Sequence, residues 1–366
     1  MSVLRTLCGA LFFVASFPLT ASPIALDDAH WELSGEKTMF TEHLGRRSIK
    51  LNGGFAGLKN TQFHNGIIEF DIAMPETRGF AGVVFRRTGV MAENFYMRSH
   101  QSGNPDANQY TPIFNNTSAW QIYYGPRYAS PTKYRFNTWL PVKLVIKGGK
   151  MDVYIDSDKP VLHVDNLLQG DSEGTLRLTG SFSDYYFSNV SVTHSDDVTL
   201  IGQAEEQPEL PNGLVKSFSV SNTAVEGKLV EGKPLLQHAL LEEQSWTRLN
   251  VEQNGVANLS RVSGRMREVN TLFAKLSLSV DKARTVFLKY GFSDRVTVFL
   301  NRKALAYGDD RFLSRDYRFL GTIGLHNGVF LPLQAGENEL IFAVTESFGG
   351  WGLMVALEEQ AGVSIH

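Results

Sequence analysis

An all-β chain, built as two β-sandwich (jelly-roll) domains after an export signal, is what this sequence predicts. Three observations predict it. Apolar and polar residues alternate with period two through many short segments, turn signals separate those segments, and almost no stretch carries apolar residues at i, i+3, i+4 and i+7. An aromatic content of 11% and 33 glycines fit the same class, since strands favour aromatic rings and turns favour glycine.

The chain has 366 residues, enough for two ordinary domains. It opens on a basic residue, Arg5, an apolar stretch from Leu7 to Phe17, and Pro18-Leu19-Thr20-Ala21. A basic start, a short apolar run and a small residue at the cut form a secretory signal, here residues 1–21, and the run is shorter than the roughly 20 residues a bilayer span needs. The expected mature protein is therefore periplasmic or secreted, with no membrane span. Cys8 is the only cysteine and lies inside that signal, so neither a disulfide nor a thiolate is expected to matter afterwards. A formal net charge of -3 offers no basic stripe for nucleic acid.

The first domain is read over 22–194. In Ile67-Ile68-Glu69-Phe70-Asp71-Ile72 the residues Ile68, Phe70 and Ile72 share one face and Glu69 and Asp71 the other. Val142 to Ile146, Met151 to Ile155, Thr175 to Leu178 and Tyr186 to Val192 read as further strands, with turns at Asn65-Gly66, Gly148-Gly149, Asp156-Ser157 and Asp171 to Gly174. Residues 195–215, acidic and proline-bearing, read as a solvated linker. The strand pattern resumes over 216–366, in Thr247 to Val251, Leu272 to Val280, Thr285 to Tyr290, Val296 to Leu300, Leu340 to Val344 and Gly352 to Leu357.

The run Asn65-Gly66-Ile67-Ile68-Glu69-Phe70-Asp71-Ile72-Ala73-Met74-Pro75, then Gly82-Val83-Val84-Phe85-Arg86, Trp139 to Ile146, Met151 to Ile155 and Tyr185 to Val190, resembles the concanavalin A-like lectin/glucanase superfamily, including laminin-G-like domains and 3-keto-disaccharide hydrolases. Asp294 to Asn301, Leu331 to Leu340 and Trp351 to Met354 resemble the galactose-binding-like jelly rolls appended to many glycosidases, although Arg302 stands where a glycine is usual. The resemblance implies an oligo- or polysaccharide partner.

Tyr96 to Tyr124 is the densest polar and aromatic segment. Sugar recognition needs flat ring faces together with amides, carboxylates or guanidinium groups that pair hydroxyls. Arg86, Arg98, His100, Asn104, Asp106, Gln109, Tyr110, Trp120 and Tyr124 are accordingly the candidate ligand-binding residues. Hydrolysis or lysis of a glycan would need acids and bases, for which Glu69, Asp71, His100 and Asp106 are the candidates. The resemblance to family-16 hydrolases implies an E-x-D-x-x-E strand, but here Met74 occupies the third position. His64, His100 and His326 lack zinc-ligand spacing, so no cofactor is expected. Structural calcium at Asp309-Asp310, or at Asn104 with Asp106, stays open. The sequence fits three functions: an exported carbohydrate-binding protein, a glycoside hydrolase or lyase, and a cell-surface protein-interaction module.

Overall fold

The computed structural model describes residues 21–358 and 362–366, so the export signal read at 1–21 lies outside the described residues except for Ala21. Four antiparallel sheets pack in two pairs. In the first sandwich one sheet runs, in spatial order, Trp31–Ser34, Gly54–Leu58, Thr175–Ser181, Phe80–Thr88, Met91–Arg98, Asn108–Phe114 and Ala129–Ser130, with Thr117–Ser118 paired to Asn108–Phe114. Facing it are Leu162–Val164, Lys150–Ile155, Trp139–Lys147, Gly66–Ala73, Tyr185–His194, Arg46–Leu51 and Met39–His43.

The second sandwich pairs an eight-stranded sheet around Val269–Val280, Gly336–Thr345 and Arg295–Leu300 with a four-stranded sheet of Ala257–Asn258, Gly352–Leu357, Arg284–Ser293 and Asn327–Leu333. This is the expected all-β class. The alternation that announced it is visible in Gly66–Ala73, where Ile68, Phe70 and Ile72 are buried and Glu69 and Asp71 are only half-buried. No helix among the described residues is long and apolar enough to cross a membrane.

The segment between the sandwiches is solvated along only part of its length. Val198 is buried with Val145 and Tyr154. The amides of Ile201 and Gly202 donate to Asp152 Oδ2 at 2.7 and 2.9 Å. Leu214 and Val215 are buried, and an unbroken exposed stretch is confined to 203–210.

The two sandwiches also share apolar packing. Ala119, Ile122 and Tyr123 of the first lie in one buried cluster with Leu214, Val256, Ile323 and Met354. Polar contacts close the seam. Tyr123 donates its hydroxyl to Glu252 Oε1 at 2.8 Å and accepts from Asn258 Nδ2 at 2.9 Å. Arg261 donates to the same Glu252 oxygen at 2.7 Å while its guanidinium lies 4.0 Å over the Phe114 ring. Because these groups are buried together, the halves are expected to unfold as a unit in calorimetry rather than as independent pieces. Tyr123→Phe leaves Asn258 without its acceptor and should cost about 1–3 kcal/mol of stability. Two well-separated transitions in the wild-type thermogram would contradict this.

A second buried seam carries ionisable groups. Ser293 Oγ donates to Gln121 Oε1 at 2.7 Å and lies 3.3 Å from Glu346 Oε2. Asp294 Oδ2 accepts from the amides of Ser347 and Phe348 at 2.8 and 2.9 Å, and Glu346 Oε1 from Gly350 at 3.0 Å. Burial, followed by the neighbouring Asp294 charge, pushes the Glu346 carboxyl up to about 8. Burial also pushes Glu93, beneath the first sheet, up to about 7.

Between the ordinary value of 4.5 and about 8 the folded chain holds a proton on Glu346 that the unfolded chain has released, so stability falls as pH rises through that window. Glu93 acts in the same direction. Melting temperature should therefore be higher at pH 5 than at pH 8, and Glu346→Gln should flatten the decline; a profile that rises from pH 5 to pH 8 would refute the assignment.

Candidate functional site

Strand parity decides which side chains face outward from the first sheet. In Thr175–Ser181 the residues Leu176, Leu178 and Gly180 are buried, which turns Arg177, Thr179 and Ser181 outward. In Met91–Arg98 the inward set is Glu93, Phe95 and Met97, and the outward set includes Asn94, Tyr96 and Arg98. Pairing then aligns rows across the strands. Thr179 stands beside Gly82, Gly82 beside Tyr96, and Tyr96 beside Gln109. Ser181 stands beside Phe80, and Phe80 beside Arg98.

Over this face lies a cleft of about 400 Å³. Its floor is Asn94, Tyr96, Thr179 and Ser181 from the sheet, with Ser118 at one side. Arg78, Phe80, His100 and Phe182 form one wall. Trp120 forms another, continued by Phe312, Leu320 and Phe348 of the second sandwich. Trp120 meets Phe312 edge to face at 6.0 Å between ring centroids and lies tilted against Phe348 at 5.9 Å. Phe182 and Phe348 are 73% and 57% exposed, and both border the same cavity.

The polar groups are held in place from below. Arg98 donates to the Asp106 carbonyl at 2.7 Å and to the Tyr96 hydroxyl at 2.7 Å, and its guanidinium is 3.8 Å from the Asp106 carboxylate. Tyr96 in turn donates to Gln109 Oε1 at 2.9 Å, and Gln109 Nε2 donates to the carbonyls of Trp120, at 3.0 Å, and Tyr123. Burial pushes the Tyr96 phenol up to about 12, so it remains a protonated donor. His100 lies edge-on to Phe80 and accepts a long hydrogen bond from the Gly79 amide. Burial, then the charge of Arg78, lowers its pKa, which leaves the ring neutral near pH 7.

Of the residues read from sequence, Arg98, His100, Asp106 and Trp120 are brought together at this cleft. Gln109 is buried beneath it as a support. Arg86 is elsewhere. It is 1% exposed and donates to the carbonyls of His64, Gly148 and Gly170, binding loops at one end of the sandwich. A register shift between Phe85 and Thr88, with Arg86 at φ 51°, breaks the strand alternation there and turns its side chain inward.

Tyr110 is a core residue, fully buried and donating to Glu93 Oε2 at 2.7 Å. Asn104 is exposed and bonded to Gln101, and Tyr124 hydrogen-bonds the Ile323 carbonyl; neither lines the cleft. Glu69 and Asp71 lie on the outer face of the opposite sheet, in a separate groove of about 410 Å³ with Lys143, Tyr154, Asp156 and Asp158. The core separates them from His100 and Asp106, and Asp71 is held by Arg46 and Asn189.

Asp309 and Asp310 are engaged by Arg311 and Arg315, and Asp106 by Arg98, so the carboxylates considered for calcium already have cationic partners. Among the described residues no three His, Cys, Asp or Glu side chains gather as a metal site. The residues missed by sequence reading are the aromatic wall from Phe312 and Phe348, which only the packing of the second sandwich reveals, and Arg78, Thr179 and Ser181. The last two carried a legible signal in the alternation of Thr175–Ser181.

No family model matches the chain, and no curated protein matches it. Among solved structures it is similar to carbohydrate binding module CBM66 from Bacillus subtilis (16% identity, 44% of this chain and 93% of that one, TM-score 0.35). It is similar also to the Caenorhabditis elegans galectin LEC-6 (12% identity, 44% and 100%, TM-score 0.29) and to Bacillus licheniformis β-glucanase (11% identity, 48% and 97%, TM-score 0.34). Each likeness covers less than half of this chain.

Proposed function

We propose that this is an exported carbohydrate-binding protein whose ligand lies in the cleft between the first sheet and the loops of the second sandwich. One observation carries the reading: solvent-accessible ring faces of Trp120, Phe182 and Phe348 border the same cavity as Asn94, His100, Thr179 and Ser181. A pyranose has an apolar C–H face and a rim of hydroxyls, so it needs ring faces and hydrogen-bonding groups converging on one space. The basic, apolar and small-residue start supports export to the periplasm or exterior, where such a ligand would be met.

The chemistry at the cleft favours binding over hydrolysis. Glycoside hydrolysis ordinarily uses two carboxyl groups flanking the bond, about 5 to 9.5 Å apart. Among the described lining residues Asp106 is the single carboxylate, and Arg98 neutralises it. Glu69 and Asp71 open onto the other side of the sandwich.

A glycan array followed by calorimetric titration tests the reading. Trp120→Ala should weaken the best glycan by about 1–3 kcal/mol, roughly 5- to 150-fold, as loss of an aromatic anchor does. The stability cost should stay below the about 3–5 kcal/mol typical of a fully buried tryptophan, because this ring is only half-buried. Retained affinity in a folded Trp120→Ala protein, or silence across the array, would sink the proposal.

A further inference from the structure

The charges on the outer face of the first sheet are unevenly matched. Arg98 is paired with Asp106, but Arg78 and Arg177 have no ion pair and no side-chain hydrogen bond among the described residues. Arg78 borders the cleft and is exposed. Arg177 precedes Thr179 by two residues on the same outward face, with its guanidinium 4.9 Å over the Phe55 ring and its Nε buried without an acceptor. Arg87, nearby on the adjacent strand, makes only a long contact with Asn116. The remaining carboxylates along this face are Glu32, on the edge strand, and Glu173, in the turn before Thr175; neither forms an ion pair among the described residues. Arg78, at the cleft, and Arg177 and Arg87, further along the face, are therefore unpaired cations among the described residues; inside the cleft the one carboxylate, Asp106, is already neutralised, and outside it Glu32 and Glu173 lie on the same face without closing an ion pair to any of them.

The layout also sets a length. Arg177, Thr179 and Ser181 follow one another along a strand, so the strip from Arg177 to Ser181 spans about 13 Å at roughly 3.3 Å per residue. Arg78 lies beyond Ser181, beside Phe80. A monosaccharide cannot reach both arginines. An unpaired guanidinium calls for an oxyanion with planar or tetrahedral oxygens, which it can grip with its two terminal nitrogens.

We infer that the saccharide taken here is acidic: a chain bearing carboxylate or sulfate groups, lying along Thr175–Ser181, with Arg78 and Arg177 each holding one anionic group. The inference rests on the carbohydrate-binding reading and adds the substrate class and the direction in which the chain lies.

Calorimetric titration of the full-length protein tests it with three size-matched probes: oligouronates, the same oligouronates after carboxyl reduction, and sulfated neutral-backbone oligosaccharides. At least one acidic series should bind roughly tenfold or more tighter than the carboxyl-reduced one, and more weakly as salt rises. The series that does so identifies the anion as carboxylate or sulfate. Arg78→Gln and Arg177→Gln should each lower acidic affinity by about 5- to 20-fold and lower carboxyl-reduced binding by much less. Arg177→Lys, which keeps the charge, guards against misreading a packing defect: it should retain the salt dependence that Arg177→Gln loses. Equal binding of acidic and reduced probes, unaffected by the arginine variants, overturns the acidic assignment while leaving the carbohydrate reading intact. Binding of none of the probes, alongside an empty glycan array, overturns both.

Discussion

The arrangement of this molecule depends on one buried amide. Gln121 is fully buried at the seam of the two sandwiches, and each of its four polar groups has a partner in the second. Its backbone N–H donates to the Gly349 carbonyl at 2.9 Å and its carbonyl accepts from Ile323 at 3.2 Å. Its side chain donates to the Leu320 carbonyl at 2.9 Å and accepts from Ser293 at 2.7 Å. A buried amide left unpaired costs on the order of 1–3 kcal/mol per group, so the loops carrying Leu320 and Gly349 are tied to this side chain. The approach is close enough to need glycine: a Cβ on Gly349 would sit 2.2 Å from Gln121 Oε1, and Gly349 and Gly350 adopt φ of 108° and 143°, a region L-residues rarely enter.

That constraint reaches the cleft directly. Trp120 precedes Gln121, and Leu320 and Phe348 belong to the loops that Gln121 anchors. The carboxylates of Asp294 and Glu346 hold the turn carrying Phe348 through its own amides. The aromatic wall is therefore fixed by a polar network behind it, and the floor by the chain from Arg98 through Tyr96 and Gln109 to the Trp120 carbonyl. Both sets converge on Trp120 from opposite sides. A preorganised site of this kind loses less conformational entropy on binding than mobile loops would.

Much of the fold was legible because period-two alternation survives wherever one sheet face is buried. Ile68, Phe70 and Ile72 point inward as their spacing requires, and so do Leu176 and Leu178. The site was legible only in part, for reasons visible at particular residues. Arg86 sits at a register shift, where alternation no longer reports direction. Tyr110 lies in Asn108–Phe114, a strand buried along its whole length whose Asn108, Gln109, Thr111 and Pro112 read in sequence as a polar loop. Phe312 and Phe348 lie far from the first sandwich in sequence, and nothing local marks them as neighbours of Trp120.

The same distinction between local and packed information bears on function. Glu69 and Asp71 are conspicuous in sequence because they alternate with apolar residues, yet that pattern reports only that they face solvent on the far sheet. Arg177 is less conspicuous, and its significance comes from what is missing around it. Buried polar groups in folded chains are almost always satisfied, and among the described residues the Arg177 Nε is not. Its stacking on Phe55 offsets part of the dehydration, since a ring face attracts a cation, but supplies no acceptor for the N–H. Arg98 shows the contrasting case on the same face, with an acceptor or carboxylate for each arm of its guanidinium. One arginine holds the cleft together through its partners and the other has no hydrogen-bond or ion-pair partner among the described residues, a difference that residue type alone cannot express.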